Sequence, residues 1–105
     1  MTFSFVYITA ADMAEAKKIG RVLVEERLAA CANSIPGMES VYRWQGEIET
    51  GSEVVLFVKT RSALVDAVAE RVKQLHSYDC PCVVSWPVGS GSPEYLQWIR
   101  DNTRG

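Results

Sequence analysis

The feature that most constrains this chain is a pair of long extended segments joined by the turn signal Gln45-Gly46. The outgoing segment is CANSIPGMESVYRW at 31–44, and the return is EIETGSEVVLFVKT at 47–60. Fourteen extended residues span about 46 Å at roughly 3.3 Å per residue. A compact domain of 105 residues has a diameter of only about 33 Å. The hairpin is therefore expected to extend beyond the body of the domain.

The far part of this hairpin carries apolar side chains that are costly to leave in water, namely Val41, Tyr42, Trp44 and Ile48. We interpret them as a surface that a partner subunit covers while pairing with the hairpin edge. The alternative is a solvated ribbon without a partner. Aromatic residues near the tip argue against that alternative.

The first part of the chain reads as a strand followed by a helix. Residues 3–8 (FSFVYI) are apolar and rich in β-forming types, which predicts a buried strand. Asp12 followed by Glu15 is a capping box, and an apolar residue every three to four positions after it predicts a helix. Gly20 interrupts that helix at a cost of about 1 kcal/mol relative to alanine. It therefore predicts a close approach of the helix to the sheet.

The second part of the chain also contains strands followed by helices. Residues 54–58 (VVLFV) predict a central strand. Ser62 is interpreted as the N-cap of a second helix. The segment CPCVVSW at 80–86 predicts a short strand, which its proline places at an edge of the sheet. Residues 92–94 (Ser-Pro-Glu) begin a last helix. Pro36 predicts a bulge or an edge position for the second strand. The order βαββαβ plus a C-terminal helix predicts an α+β fold, the ferredoxin-like split βαβ sandwich.

The length and composition of the chain limit the classes of function that it can have. The length and the absence of a linker predict one domain over 1–105. Thirteen acids against 11 bases argue against a nucleic-acid-binding module, and no apolar run reaches the roughly 20 residues of a membrane helix. No secretory signal is recognised at the N-terminus. Three cysteines, an odd number, argue against a disulfide framework and predict a cytoplasmic location.

The sharpest chemical feature is Cys80-Pro81-Cys82. In a strand, side chains two residues apart point to one face, with their Cα atoms about 6.6 Å apart. Two thiolates in this arrangement could bind a soft ion. His76 is close enough in sequence to be a third ligand. Cys31, at the start of the second strand, is a further metal or redox candidate. The alternative for all three cysteines is that they are small apolar packing residues.

Residues 26–49 (ERLAACANSIPGMESVYRWQGEIE) resemble the signature of the CutA divalent-cation tolerance family. The surrounding pattern agrees: VYITAAD near the start, LFVKT in the third strand, a histidine-tyrosine turn, and YLQWI near the end. The resemblance covers almost the whole chain. It implies a ferredoxin-like fold assembled as a homotrimer whose hairpins wrap neighbouring subunits. It also implies a cytoplasmic, non-enzymatic role in metal tolerance with binding of copper or another divalent metal ion.

One region departs from the family pattern. The family usually has His-Pro-Tyr-Glu and then a Pro-Glu pair, whereas this chain has Ser77 in place of the first proline and Cys82 in place of the second glutamate. His76 and Tyr78 match, and Asp79 keeps the charge. The role of that glutamate in a ligand pocket is therefore open here.

Two sets of site residues follow. The candidate metal ligands are His76, Cys80, Cys82 and Cys31. The candidate small-ligand residues are Lys59, Tyr78 and Arg27. Alternatives for the two cations are a snorkelling lysine at a strand end and an arginine at a helix C-terminus.

Three functions remain open from the sequence. The first is a trimer that binds metal ions, without an organic cofactor. The second is a regulatory trimer resembling the PII signalling proteins, with a small ligand in clefts between subunits. The third is a structural scaffold. Sulfur ligands at the cleft would favour the first, cationic residues at the cleft the second, and the absence of both the third.

Overall fold

The computed structural model describes all 105 residues. The elements in chain order are β1 (Phe3–Ala10), α1 (Met13–Glu25), β2 (Cys31–Trp44), β3 (Glu47–Arg61), a 3-10 turn (Ser62–Leu64), α2 (Val65–Leu75), β4 (Val83–Pro87) and α3 (Pro93–Asp101). The strands form one sheet in the order β2-β3-β1-β4, with every neighbouring pair antiparallel. This is the ferredoxin-like α+β arrangement, and the predicted fold class is confirmed. The longest helix, α1, has 13 residues, and none of the helices has the length and hydrophobicity of a membrane-spanning segment.

The core lies between one face of the sheet and the helices. Alternate residues of the two central strands point to that face, and the apolar stripes of α1 and α2 cover them. The largest fully buried side chains are Ile8, Ile19, Leu23, Leu28, Leu56, Ile99, Val6, Val58, Val68, Val72 and Thr60. The other face of the sheet, called here the open face, carries the rings of Phe5, Tyr7, Phe57 and Trp86.

The start of α1 follows the sequence prediction. The Asp12 carboxylate accepts a hydrogen bond from the Glu15 N–H at 2.8 Å, and the Glu15 carboxylate accepts one from the Ala11 N–H at 3.0 Å. A Cβ on Gly20 would lie 2.9 Å from the Cβ of Ala32 on β2. The predicted N-cap at Asp12 and the close approach at Gly20 are both confirmed, whereas the reciprocal bond of the predicted capping box reaches the Ala11 N–H, one residue before the N-cap.

The hairpin of β2 and β3 extends beyond the body, as predicted. The molecule measures 44 × 25 × 22 Å along its principal axes. The turn residues Gln45 and Gly46 both have positive φ, 50° and 82°, as in the two-residue turns that match the twist of a hairpin. Val41 and Ile48 near the tip remain 73% and 59% exposed.

The predicted irregularity at Pro36 is a bulge. Ile35 pairs with Val55 and Met38 pairs with Glu53, so two residues of β2 oppose one of β3 between them. One extra residue exchanges the two faces of β2 beyond the bulge. For this reason even-numbered residues of β2 after the bulge, such as Tyr42, point to the open face.

Two local predictions were wrong. Residues 80–86 do not form a strand from Cys80, because β4 begins at Val83, opposite Ile8. Pro81 has no N–H to donate to a neighbouring strand, which explains the late start. Ser62 does not cap α2: it begins the 3-10 turn, and its hydroxyl contacts that of Ser4 at 2.7 Å. The prediction for α3 is confirmed, since the Ser92 Oγ accepts from the Tyr95 N–H at 3.4 Å.

Candidate functional site

A cleft lies where the hairpin leaves the body, opposite the turn that joins α2 to β4. It consists of two cavities of about 290 and 350 Å³ that share three lining residues. We call it the hairpin cleft; its lining is Tyr7, Thr9, Ser40, Val41, Tyr42, Trp44, Glu53, Tyr78, Asp79, Cys80 and Cys82. The bulge in β2 is what turns Tyr42 and Trp44 toward this cleft. Three of the sequence-predicted site residues, Tyr78, Cys80 and Cys82, therefore meet in one place.

Tyr78 and Glu53 form the polar centre of the hairpin cleft. The Tyr78 hydroxyl donates a hydrogen bond to a Glu53 carboxylate oxygen at 3.0 Å. Burial, and then the hydrogen bond and negative charge of Glu53, raise the pKa of Tyr78 to about 12. Both causes favour the neutral phenol. The pair thus holds a proton between the hairpin and the turn and fixes the position of both groups.

The turn that carries Tyr78 is anchored on the start of α1. Burial raises the pKa of Glu15, but hydrogen bonds from the N–H groups of Ala11 and Ser77, the second at 2.8 Å, outweigh it and hold that pKa below its usual value. The Ser77 N–H is a donor that a proline at this position would lack. The departure from the family pattern at residue 77 therefore adds a contact that holds the turn.

His76 has a structural role in this turn. Its side chain is fully buried, and its Nε2 lies 2.7 Å from the Thr9 carbonyl oxygen, which can only accept. The ring therefore carries its proton on Nε2, and Nδ1 accepts from the Tyr78 N–H at 3.0 Å. Both ring nitrogens are engaged within the chain in this arrangement.

Cys80 and Cys82 lie before β4, so alternation along a strand does not place them. Both nevertheless line the same 350 Å³ cavity of the hairpin cleft. Cys80 is exposed and Cys82 half-buried, and both are free thiols. Burial, followed by the nearby charges of Glu53 and Cys80, raises the pKa of the Cys82 thiol. No group of three or more His, Cys, Asp or Glu side chains in the chain is arranged to hold a metal ion.

The remaining predicted residues lie elsewhere. Cys31 pairs with Lys59 across β2 and β3, in the row of Phe5. That row is four residues along β1 from Thr9, which lines the hairpin cleft, a distance of about 13 Å. The Lys59 ammonium donates to the Tyr95 hydroxyl at 3.2 Å and lies 5.6 Å from the centre of the Phe5 ring. Within one chain, neither residue reaches the cleft.

Arg27 joins α1 to the C-terminal segment. It adopts a positive φ of 59° just past the end of α1, and its guanidinium donates to the Asp101 carbonyl at 2.9 Å. Its own carbonyl accepts from the Arg104 N–H at 2.9 Å. A cation at the carbonyl end of α3 is favourable for the helix dipole.

Sequence reasoning missed Glu53 and the second role of Glu15. Glu53 stands 25 positions before Tyr78, and nothing in its neighbourhood distinguishes it from other charges on the hairpin. Glu15 was recognisable only as part of a capping box. Its contact with residue 77 depends on how α2 returns to the sheet, which no local pattern reports.

Comparison with known proteins identifies the family to which this chain belongs. A family model described as CutA1 divalent ion tolerance protein matches residues 4–102. The Divalent-cation tolerance protein CutA of Thermus thermophilus is 48% identical over 98 residues, which cover 93% of this chain and 95% of that protein. The chloroplastic Protein CutA of Arabidopsis thaliana is 42% identical over 99 residues. This chain spans only 54% of the Arabidopsis protein and a similar share of several other curated relatives.

Solved structures agree with the sequence relatives. The divalent cation tolerance protein Cut A1 from Thermus thermophilus superposes with a TM-score of 0.94 at 46% identity, covering 97% of this chain and 99% of that one. CutA from Xylella fastidiosa gives a TM-score of 0.94 at 43% identity, covering 97% and 98%. With the βαββαβ fold, the long bulged hairpin and these matches across nearly its whole length, the chain belongs to the CutA1 divalent ion tolerance family.

Proposed function

We propose that this CutA family protein acts as a homotrimer that binds copper or another divalent metal ion at clefts between subunits, in metal homeostasis. The observation that carries the proposal is the apolar hairpin, which a single chain leaves in water. Val41, Tyr42, Trp44 and Ile48 are between 47% and 73% exposed. Fully burying a large apolar side chain contributes about 1.5–3 kcal/mol, and these four still expose roughly half or more of their surface, so covering them favours association.

The geometry of the sheet supports the same proposal. β2 lies at the edge of the sheet, so one side of this 14-residue strand has no backbone partner. The open face is also apolar: the Trp86 ring lies 6.4 Å from that of Phe5 and 6.3 Å from that of Phe57. Partner subunits that pair with β2 and cover the open face would satisfy both features.

Metal binding is the favoured activity because sulfur ligands, and not cations, meet in the hairpin cleft. Cys80 and Cys82 line it, whereas Lys59 and Arg27 are engaged elsewhere in the chain. The name of the Thermus relative, a divalent-cation tolerance protein, points the same way. The PII-like regulatory trimer and the pure scaffold are therefore less well supported. We propose a binding role without catalysis, in the cytoplasm, where free thiols stay reduced.

Light scattering tests the assembly. The expected mass is about three times the 11.7 kDa of one chain. Val41→Glu combined with Ile48→Glu should dissociate the trimer, because it places charges on the apolar overhang. Val24→Glu, which adds one negative charge to an exposed apolar site on α1, is the control and should remain assembled, as Val41→Glu alone should not. A monomeric parent protein would refute the proposal.

Native mass spectrometry tests the ligand. The protein is screened against copper, zinc and nickel salts and, in parallel, against nucleotides. Bound metal without bound nucleotide is the expected result. Retention of a nucleotide without any metal would transfer support to the regulatory trimer.

A further inference from the structure

Two free thiols line one cavity in a chain in which no group of three or more His, Cys, Asp or Glu side chains is arranged to hold a metal ion. Cys80 and Cys82 both line the 350 Å³ part of the hairpin cleft, and one residue separates them in sequence. We propose that they form a two-sulfur site for a thiophilic ion of the Cu(I) type. This inference rests on the proposed metal-binding function and specifies the ion class and the ligands.

The neighbouring groups explain why the site should take a soft ion. Glu53 is held by the hydroxyl of Tyr78, and both ring nitrogens of His76 are engaged. Zinc sites usually need four ligands and calcium sites six to eight oxygens, and no cluster of three potential ligands is arranged for either in one chain. Thiolates select soft ions, and Cu(I) is stable with two sulfur ligands.

The position of the pair separates it from the third thiol. Cys31 lies on β2 in the row of Lys59 and Phe5, four residues along β1 from the cleft-lining Thr9, a distance of about 13 Å, and it does not line the cleft. The Cys31 thiol donates instead to the Asn33 side chain at 3.6 Å. A bound ion should therefore depend on the two cleft cysteines and not on Cys31, which gives the experiment an internal control.

Binding of Cu(I) by Cys80 and Cys82 involves no change in the oxidation state of copper or sulfur. Each S–H bond loses its proton to solvent, two copper–sulfur bonds form, and copper enters and remains as Cu(I). Two thiolates and one monovalent ion give the site a charge of minus one. The exposed Cys80 provides the entry side, and the half-buried Cys82 provides the inner ligand.

The test is a competition for Cu(I) between the intact protein and a chromogenic chelator under anaerobic conditions. The parent is expected to bind one Cu(I) per chain. Cys80→Ser, Cys82→Ser and the double variant should each bind at least tenfold more weakly, which corresponds to about 1.4 kcal/mol. Cys31→Ser should bind within twofold of the parent. X-ray absorption at the copper edge should count two sulfur neighbours in the parent and fewer in each single cleft variant.

Two outcomes would overturn the inference. One is a double variant that binds Cu(I) as tightly as the parent, and the other is a loss of binding caused by Cys31→Ser alone. Circular dichroism of every variant checks that the fold is retained. Titration of the double variant with Cu(II) keeps the two proposals distinct: retained Cu(II) binding with unchanged Cu(I) affinity rejects only the thiol site. A parent that binds neither copper ion, and neither zinc nor nickel in the native mass spectrometry screen, rejects the proposed function as well.

Discussion

Replacing Gly20 by alanine tests how closely α1 lies on the sheet. The added Cβ would lie 2.9 Å from the Cβ of Ala32 and 3.5 Å from a Leu56 methyl carbon. Ordinary carbon–carbon contacts are about 3.5–4.0 Å, so α1 and β2 must separate by roughly 0.6–1 Å. The Ala32 Cβ cannot rotate away because it is attached directly to the backbone.

Two contributions of opposite sign determine how Gly20→Ala changes the free energy of unfolding. Overpacking of this kind costs about 1–3 kcal/mol, whereas alanine is favoured over glycine inside a helix by about 1 kcal/mol. Since the opposing atom is fixed, we expect the clash to win, with a net loss of about 1 kcal/mol in the free energy of unfolding. The measurement is urea unfolding followed by circular dichroism, at one protein concentration because assembly contributes to stability.

Ala32→Gly supplies the matched background. It removes the opposing Cβ, so in that background Gly20→Ala should become stabilising by up to about 1 kcal/mol, the helix propensity alone. The sign of the effect should therefore change between the two backgrounds. If Gly20→Ala stabilises the protein equally in both, the close approach of α1 to β2 is not the reason for this glycine.

The remaining predictions concern the turn and the hairpin cleft. The tyrosinate absorbance should show one step near the pKa of about 12 that Tyr78→Phe abolishes. Glu53→Gln should move that step down toward the usual value of about 10 without reaching it, since burial persists; a step that stays at about 12 would contradict the pairing. Glu15 has a lowered pKa, so its contribution to stability is complete above the usual value of 4.5 and is lost as the pH falls through its folded value. Urea titrations above and below pH 4.5 should accordingly show a weaker acid dependence for Glu15→Gln than for the parent, and an equal dependence in both would contradict this contribution.

Much of the fold could be predicted because its signals are local. Hydrophobic periodicity gave the order of the elements, and the capping residues of α1 and α3 gave two helix starts. Pro36 indicated the bulge, and simple length indicated the overhang of the hairpin. Each of these depends on residues close together in sequence, whose backbone hydrogen bonds and chain dimensions vary little with context.

The candidate site was only partly predictable. Tyr78, Cys80 and Cys82 do line one cleft, but the strand geometry first used to join the two cysteines does not hold, because β4 begins at Val83. Glu53 could not be found in advance. Its partner lies in another element, and which hairpin residue faces the turn depends on the register of β2 and β3.

The sequence by itself determined the number and order of the elements, the excess length of the hairpin and the position of its irregularity. Only the tertiary structure decided which side chains meet. One extra residue at the bulge exchanges the faces of β2, so Tyr42 points into the cleft, and the return of α2 places Ser77 against Glu15. The physical reason is that side-chain partners in a sheet are fixed by register across strands, a relation between distant residues that local propensity does not encode.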